Sequence, residues 1–378
     1  MKILFITHYT ALYGANRSLL ALAKQLKLKD YKVVIMVPGY GDLNQELKKN
    51  KIPFVETQYY DEYYYKRGFS RLLGLKRHII NRLKMKSLMK IVNQIQPDII
   101  HSNSAALQVG AKLAYRLKIP HVWHIREFGL EDYRAVYNLG WQNHLKWLNR
   151  ADYIIAISEV LKKAVLSEVL VPVKVIYNGV MTTKKMEKLS FKKTTSEKVV
   201  FALVASFRPE KGHEIALDAF IKIADKLPQA ELFLPGDHEQ AFGNKLKAKS
   251  IQTGLSKKVK FPGFINDPQK IYEKTDILLM CSKSEAMGRV TAEAFAHCIP
   301  VIAHKGGANP ELIQQDIEGI LYEDQEALCE AMIKLGDDQS LREKMGNLAH
   351  KKALGLFTEE SYAEEVEKVY IKIQKDLN

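Results

Sequence analysis

Residues 282–307 read SKSEAMGRVTAEAFAHCIPVIAHKGG, and the reading of this stretch decides the fold. It follows an apolar run at 277–281, ILLMC, and leads into another at 301–303, VIA. Short runs rich in Val, Ile and Leu are the signature of strands buried on both faces. Between them the pattern predicts a helix opened by Gly288 and running to about His297. Strand, loop, helix and strand in that order form one unit of a parallel sheet. The helix N-terminus beside the strand end offers free N–H groups and the positive end of a dipole, which attract a phosphate.

Glu285 and Glu293 stand eight residues apart in this block, one in the loop and one beyond the first helical turn. Either alone reads best as a solvated carboxylate. As a pair they first suggest acid–base chemistry. Their placement around a helix N-terminus instead suggests clamps on hydroxyls, one on each side of a bound pyrophosphate. A nucleotide-sugar has that layout of ribose, pyrophosphate and hexose.

Working outward, the same alternation fills the chain of 378 residues. Apolar runs fall at 3–7, 32–37, 98–101, 121–125, 153–157 and 174–177, then at 199–205, 231–235, 259–263, 277–281, 301–303 and 319–322. Helical patterns such as 15–28 and 213–227 lie between them. The polar stretch 181–198, MTTKKMEKLSFKKTTSEK, has no periodic apolar face and predicts a linker or surface loop. The expectation is an α/β chain of two Rossmann-like, doubly wound domains facing a central cleft, with ligand at the carboxyl ends of the strands. An N-terminal domain would cover 1–180 and a C-terminal domain 181–357. An amphipathic helix over 358–378 would pack back on the N-terminal domain. The length suits two cores of about 150–200 residues.

Composition narrows the class. Hydrophobic residues make up 47% and charged residues 26%, the profile of a globular protein. No run approaches the ~18–20 apolar residues of a membrane span. The apolar run near Met1 is shorter than the ~7–15 residues of a signal-peptide core, so a buried first strand is expected. Cys281, Cys298 and Cys329 form no CxxC pair, which fits a reducing cytoplasm and makes zinc a poor reading. The net charge of +14 is lopsided: residues 1–178 carry 28 Lys/Arg against 13 Asp/Glu, and residues 179–378 carry 29 against 30. The first half therefore faces something anionic. Residues 66–90, KRGFSRLLGLKRHIINRLKMKSLMK, hold nine Lys/Arg and no acid. That stretch reads equally as a helix lying on an anionic bilayer or as a domain helix with a solvated basic face.

Four further blocks carry polar groups at strand ends. Ser206, Arg208 and Lys211 follow the first strand of the second half, where two cations can neutralise a pyrophosphate without a metal. Gly14 follows the first strand of the chain and permits close approach of backbone to a ligand, but there is no GxGxxG fingerprint. His124 lies in the block HVWHIREF, where a packed or solvent-facing histidine is the commoner outcome and contact with a transferred group the sharper one. Asn178-Gly179-Val180 close the first half.

Together these blocks resemble glycosyltransferase family 4, the retaining GT-B enzymes of the "glycosyl transferases group 1" type. Gly14, His124, Asn178-Gly179-Val180, Arg208 with Lys211, Glu285 with Glu293, and Gly306-Gly307 follow the family's order over essentially the whole chain. The resemblance implies that Arg208 and Lys211 bind the donor pyrophosphate and that Glu285 holds the transferred sugar, with backbone near Met287, Gly288, Arg289 and Val290. It implies that Glu293 holds the ribose, that Gly263, Phe264 and Ile265 lie beside the base, and that His124 sits near the anomeric carbon. Two departures stand out. Tyr13-Gly14-Ala15-Asn16 replaces the common Gly-Gly-x-Glu, and Glu285-Ala286-Met287-Gly288 replaces Glu-Gly-Phe-Gly.

The expected activity is transfer of a sugar from a UDP- or GDP-sugar to a glycan or lipid-linked glycan in cell-surface polysaccharide or glycolipid synthesis. Retention of configuration, a nucleoside-diphosphate sugar as co-substrate, no required cofactor, and no metal in the absence of a DxD run complete the expectation. The place would be the cytoplasm, peripheral on the inner face of the cell membrane. The competing readings are a nucleotide-sugar epimerase of the same fold, or a basic membrane- or nucleic-acid-binding protein with an inactive cleft. No basic recognition helix or RNP-like aromatic set supports nucleic acid.

Overall fold

The structure, a computed structural model, describes residues 1–65, 70–129, 135–191, 198–237 and 240–377. The chain divides into two compact units, Met1–Gly179 with Glu359–Asn378, and Val180–Thr358.

The first unit holds β1 (Lys2–Ile6), β2 (Lys32–Val37), β3 (Phe54–Glu56), β4 (Tyr63–Tyr65), β5 (Ile99–Ser102), β6 (His121–Ile125), β7 (Ala135–Tyr137), β8 (Tyr153–Ala156) and β9 (Val173–Val175). Seven of these form a parallel sheet in the order β3-β2-β1-β5-β6-β8-β9, while β4 and β7 pair antiparallel as a separate ribbon. Alternation along β1 builds two cores. Ile3 and Phe5 pack with Leu19, Leu22 and Leu26 of the helix Gly14–Leu28 and with Tyr362, Val366 and Tyr370 of the helix Glu359–Leu377. Leu4 and Ile6 pack on the other side with Met85, Leu88 and Val92 of the helix Ser70–Ile95 and with Val109 and Leu113 of the helix Gln108–Leu117. A slip of one residue would exchange these faces, so the register with Val34 and Ile35 of β2 is set by burial on both sides.

The second unit holds β10 (Val199–Ala202), β11 (Ala230–Pro235), β12 (Val259–Gly263), β13 (Ile277–Met280), β14 (Val301–His304) and β15 (Gly319–Tyr322). They form one parallel sheet in the order β12-β11-β10-β13-β14-β15. The chain winds outward from β10 in one direction and from β13 in the other. The sheet's topological switch point therefore lies at the carboxyl ends of β10 and β13, where an open α/β sheet takes its ligand. In the first unit the same reversal falls between β1 and β5.

The short strands β3, β4 and β7 were not visible as apolar runs, because three residues give no period. The linker expected at 181–198 is partly structured: Thr183–Met186 is a helical turn with Met186 fully buried. Residues 192–197 of that stretch, and 66–69 of the basic stretch, lie outside the described residues. Cys281 and Cys298 are buried, Cys329 is half-buried, and all three are free. Burial pushes the Cys281 thiol up to about 12, as expected for a packing residue. Among the described residues, no helix is long and apolar enough to cross a membrane.

Candidate active site

The loops leaving β10 and β13 bring together the residues singled out at 206–211 and 285–293. Lys211 ends the short 3-10 turn Pro209–Lys211, which Arg208 caps from extended backbone. Its Nζ lies 3.0 Å from Glu285 Oε2. Both side chains keep partial exposure, so the pair sits at the rim of the switch point rather than in the core. Arg208 is exposed beside it. Ser206 is half-buried, and Phe207 N–H donates to Asp237 O at 2.8 Å, tying the loop after β10 to the loop after β11.

Glu285 is held by backbone. Its carbonyl accepts from Ala308 N–H at 2.8 Å. Gly307 has φ +56° and lies so close that a Cβ there would stand 2.5 Å from Glu285 N and 2.6 Å from its O. The paired glycines after β14 thus brace the glutamate loop after β13. Gly288, at φ +74°, caps the helix Arg289–Ala296 in the left-handed region, which a residue with a side chain reaches only with strain. That turn starts the helix at the end of the loop that leaves β13. Met287 and Gly288 are buried there, while Arg289 and Val290 are half-buried.

Glu293 lies one turn into the helix and is 9% exposed. Its carboxylate accepts from Tyr272 Oη and from Arg289 Nε, each at 2.8 Å. Tyr272 in turn stacks on His297 with centroids 4.7 Å apart. Tyr272 was not anticipated: it reaches Glu293 from the short helix Pro268–Tyr272, 21 residues away, and tyrosines carry no local signal for such a contact. Gly263 ends β12 and its carbonyl accepts from Gly236 N–H at 3.0 Å. Phe264 is 48% exposed and Ile265 half-buried beside it.

His124, Asn178 and Gly14 lie in the first unit. Gly14 begins the helix Gly14–Leu28 and is exposed. Asn16 explains the departure at this turn. Its amide donates to Tyr9 O and Ala11 O at 2.9 and 2.8 Å and accepts from Thr7 Oγ1 at 2.6 Å, so it holds the loop after β1 in place.

His124 is fully buried in β6 within a network that Arg126 organises. Arg126 donates from Nε to Asn103 Oδ1 at 2.8 Å, from Nη1 to Asn178 Oδ1 at 2.5 Å, and from Nη2 to Tyr362 Oη at 2.9 Å and His124 Nδ1 at 3.3 Å. Guanidinium only donates, so His124 Nδ1 accepts. The neighbouring His101 Nε2, 3.2 Å from the same atom, must then donate. Burial first, then the charge of Arg126, holds the His124 imidazole well below the usual histidine range. It is a neutral ring whose proton is on Nε2, and that nitrogen has no hydrogen-bond partner among the described residues. Arg126 itself was missed, although it stands two residues from His124 in the same block.

Comparison with known proteins gives this geometry its class. Residues 13–184 match the family Glycosyltransferase Family 4, and residues 185–352 match Glycosyl transferases group 1. The chain is 26% identical over 313 residues to an uncharacterized glycosyltransferase of Methanocaldococcus jannaschii, covering 76% of this chain and 78% of that one. It is 26% identical over 406 residues to the alpha-monoglucosyldiacylglycerol synthase of Streptococcus pneumoniae, covering 98% and 86%. Its fold is similar to that of Anabaena HepE in complex with UDP-glucose, with TM-score 0.80, 22% identity, and coverage of 98% and 100%. Two parallel-sheet α/β units of this kind make a GT-B fold. The chain belongs to the family 4, group 1 type glycosyltransferases and is a glycosyltransferase enzyme.

Proposed function

We propose that this enzyme transfers a sugar, with retention, from a nucleoside-diphosphate sugar to a hydroxyl of a glycan or lipid-linked glycan. The Lys211–Glu285 pair at the switch point of the second sheet carries the reading. A cation and a carboxylate at the rim, next to a helix N-terminus, suit a charged diphosphate joined to a polyhydroxyl group. Arg208, Lys211 and the N–H groups near Met287, Gly288, Arg289 and Val290 stabilise the departing phosphate. Glu285 orients sugar hydroxyls and Glu293 the ribose. Ser206, Gly263, Phe264 and Ile265 line the nucleotide, and Gly14 and Asn178 the donor from the first unit's loops. His124 offers its Nε2–H to an oxygen of the sugar.

Catalysis then comes from positioning and from stabilising the leaving group, with departure and attack on one face of the sugar. The sequence has no DxD run, so no metal enters this scheme. The complexes of HepE with UDP and UDP-glucose favour a UDP-sugar over a GDP-sugar. The name of the pneumococcal relative favours a glycolipid product, and a capsular polysaccharide glycosyltransferase of Staphylococcus aureus, 24% identical over 339 residues, favours a surface glycan. The work would be done in the cytoplasm, at the inner face of the membrane.

The test is sugar transfer and donor hydrolysis by Glu285→Ala and Lys211→Ala. Near-wild-type turnover in both overturns this reading. Thermal stabilisation by a panel of nucleotide-sugars identifies the donor.

A further inference from the structure

The helix Ser70–Ile95 has two apolar faces. Gly74, Asn81, Met85, Leu88 and Val92 are buried, and the last three belong to the core beneath the sheet. Leu72, Leu75, Ile79 and Leu83 recur at spacings of three and four, so they form a second stripe. Their exposures are 65%, 36%, 56% and 76%. Leu72, Ile79 and Leu83 each precede a buried residue by two positions, about 200° around a helix, so the stripe points directly away from the core. Leucines on a helix that is already anchored by its other face serve no folding purpose there. Left in water, they are a liability.

Their surroundings say what covers them. Arg71, Lys76, Arg82, Lys86 and Lys90 are exposed on the same helix, and it carries no Asp or Glu. Arg77, by contrast, pairs with Asp61 at 2.6 Å and Lys84 donates to Gln58 at 2.6 Å, so the cations nearer the core are used, while no acid among the described residues pairs with the outer ones. A second copy of this chain would bring cations onto cations. A nucleic acid would meet the cations but leave the leucines in contact with phosphates. An anionic bilayer satisfies both, with leucines among the acyl chains and lysines at the headgroups.

We propose that the outer face of the helix Ser70–Ile95 is a membrane-docking surface, with Leu72, Leu75, Ile79 and Leu83 inserted and Lys76, Arg82, Lys86 and Lys90 on anionic headgroups. The surface gives the peripheral location proposed above its residues. It does not depend on the transfer chemistry.

The experiment is co-sedimentation of the full chain with phosphatidylcholine vesicles, with and without phosphatidylglycerol, at low and high salt. Binding should require the anionic lipid and weaken with salt. It should fall about tenfold or more in Leu72→Ser/Ile79→Ser/Leu83→Ser and again in Lys76→Gln/Arg82→Gln/Lys86→Gln. All six side chains are exposed, so both variants should melt with the parent. Donor hydrolysis without vesicles should be unchanged, which separates failure of docking from failure of the catalytic reading. Three results overturn the proposal. These are no binding to anionic vesicles, a serine variant that binds as the parent does, or a stripe that instead holds a dimer or an oligonucleotide without vesicle binding.

Discussion

Tyr370 Oη lies 2.6 Å from His101 Nδ1, joining residues 269 positions apart. Both are fully buried. Because His101 Nε2 must donate to His124, its Nδ1 accepts, and the tyrosine hydroxyl is the donor. The C-terminal helix thereby sets the tautomer of the ring that orients His124. Tyr370→Phe keeps the ring packing and removes this one donor. An acceptor buried without a partner costs about 1–3 kcal/mol. The variant should unfold at lower urea, with amide exchange accelerated in β5 and β6. Unchanged exchange there would show that the bond holds nothing.

A second consequence concerns acid. Burial holds five histidines of the first unit below their usual range: His8 at about 4, His121 and His144 at about 3, and His101 and His124 well below. These groups are neutral in the fold, while in the unfolded chain they protonate near pH 6.5. Below that value the unfolded state takes up protons that the folded state refuses. Stability is therefore full above about pH 6.5 and falls as pH drops, until the folded pKa values are reached. Each histidine contributes about 1.4 kcal/mol per pH unit over its window. Glu62 contributes stability that is present in full above its usual carboxylate range, so it adds no pH dependence in the histidine window. Burial alone would raise its pKa, but His78 and Lys112 bring it to about 2, so its loss begins only in stronger acid. The melting temperature should thus decline steeply from pH 6.5 to 4.5. A flat profile over that interval would contradict the buried, neutral assignment.

What the sequence shows and what it hides follow from the range of the interaction. Strands such as 32–37 and 121–125 were read at their true bounds because burial on both faces writes a mostly apolar run. The grouping of Lys211 with Glu285 was legible because each follows a strand end, and strand ends converge in a parallel sheet. Tyr272 and Arg126 were not legible. Each acts through partners distant in the chain, Glu293 for one and Asn178 and Tyr362 for the other, and no local spacing encodes those contacts. The role of Asn16 was hidden for the opposite reason. Its hydrogen bonds stay within nine residues, but they depend on a loop conformation that only the folded sheet defines.

Tyr272 offers a test of how Glu293 is presented. Its hydroxyl donates to that carboxylate beside Arg289 Nε. Tyr272→Phe retains the stack on His297 but frees one oxygen of Glu293. A hydrogen bond to a charged group of this strength corresponds to about a tenfold change in affinity. The KM for the donor should rise by about that factor, with kcat nearly unchanged. A fall in kcat at constant KM would instead place Glu293 in the chemical step.

Gly307 separates the backbone of the site from its side chains. At φ +56° the residue already occupies a region that disfavours a Cβ, and the space a Cβ needs is filled by the backbone of Glu285. Backbone cannot swing aside as a flexible side chain can, so Gly307→Ala must move either its own turn or the Glu285 loop. A displacement of the order of 1 Å in a positioning group costs about 10²-fold in rate. The variant should lose transfer activity on that scale while binding free UDP nearly as well, because the diphosphate contacts proposed for Arg208 and Lys211 do not involve the displaced loop. Gly355→Ala is the matching control. Gly355 lies exposed in the helix Gln339–Leu356 with nothing within 4 Å of its added Cβ, so alanine there should stabilise by about 0.5–1 kcal/mol and leave activity alone. Loss of activity in the first and not the second would show that Glu285 is positioned by the glycine pair. Full activity in Gly307→Ala would mean that the loop adjusts, and that the glutamate's place is set by its bond to Lys211 alone.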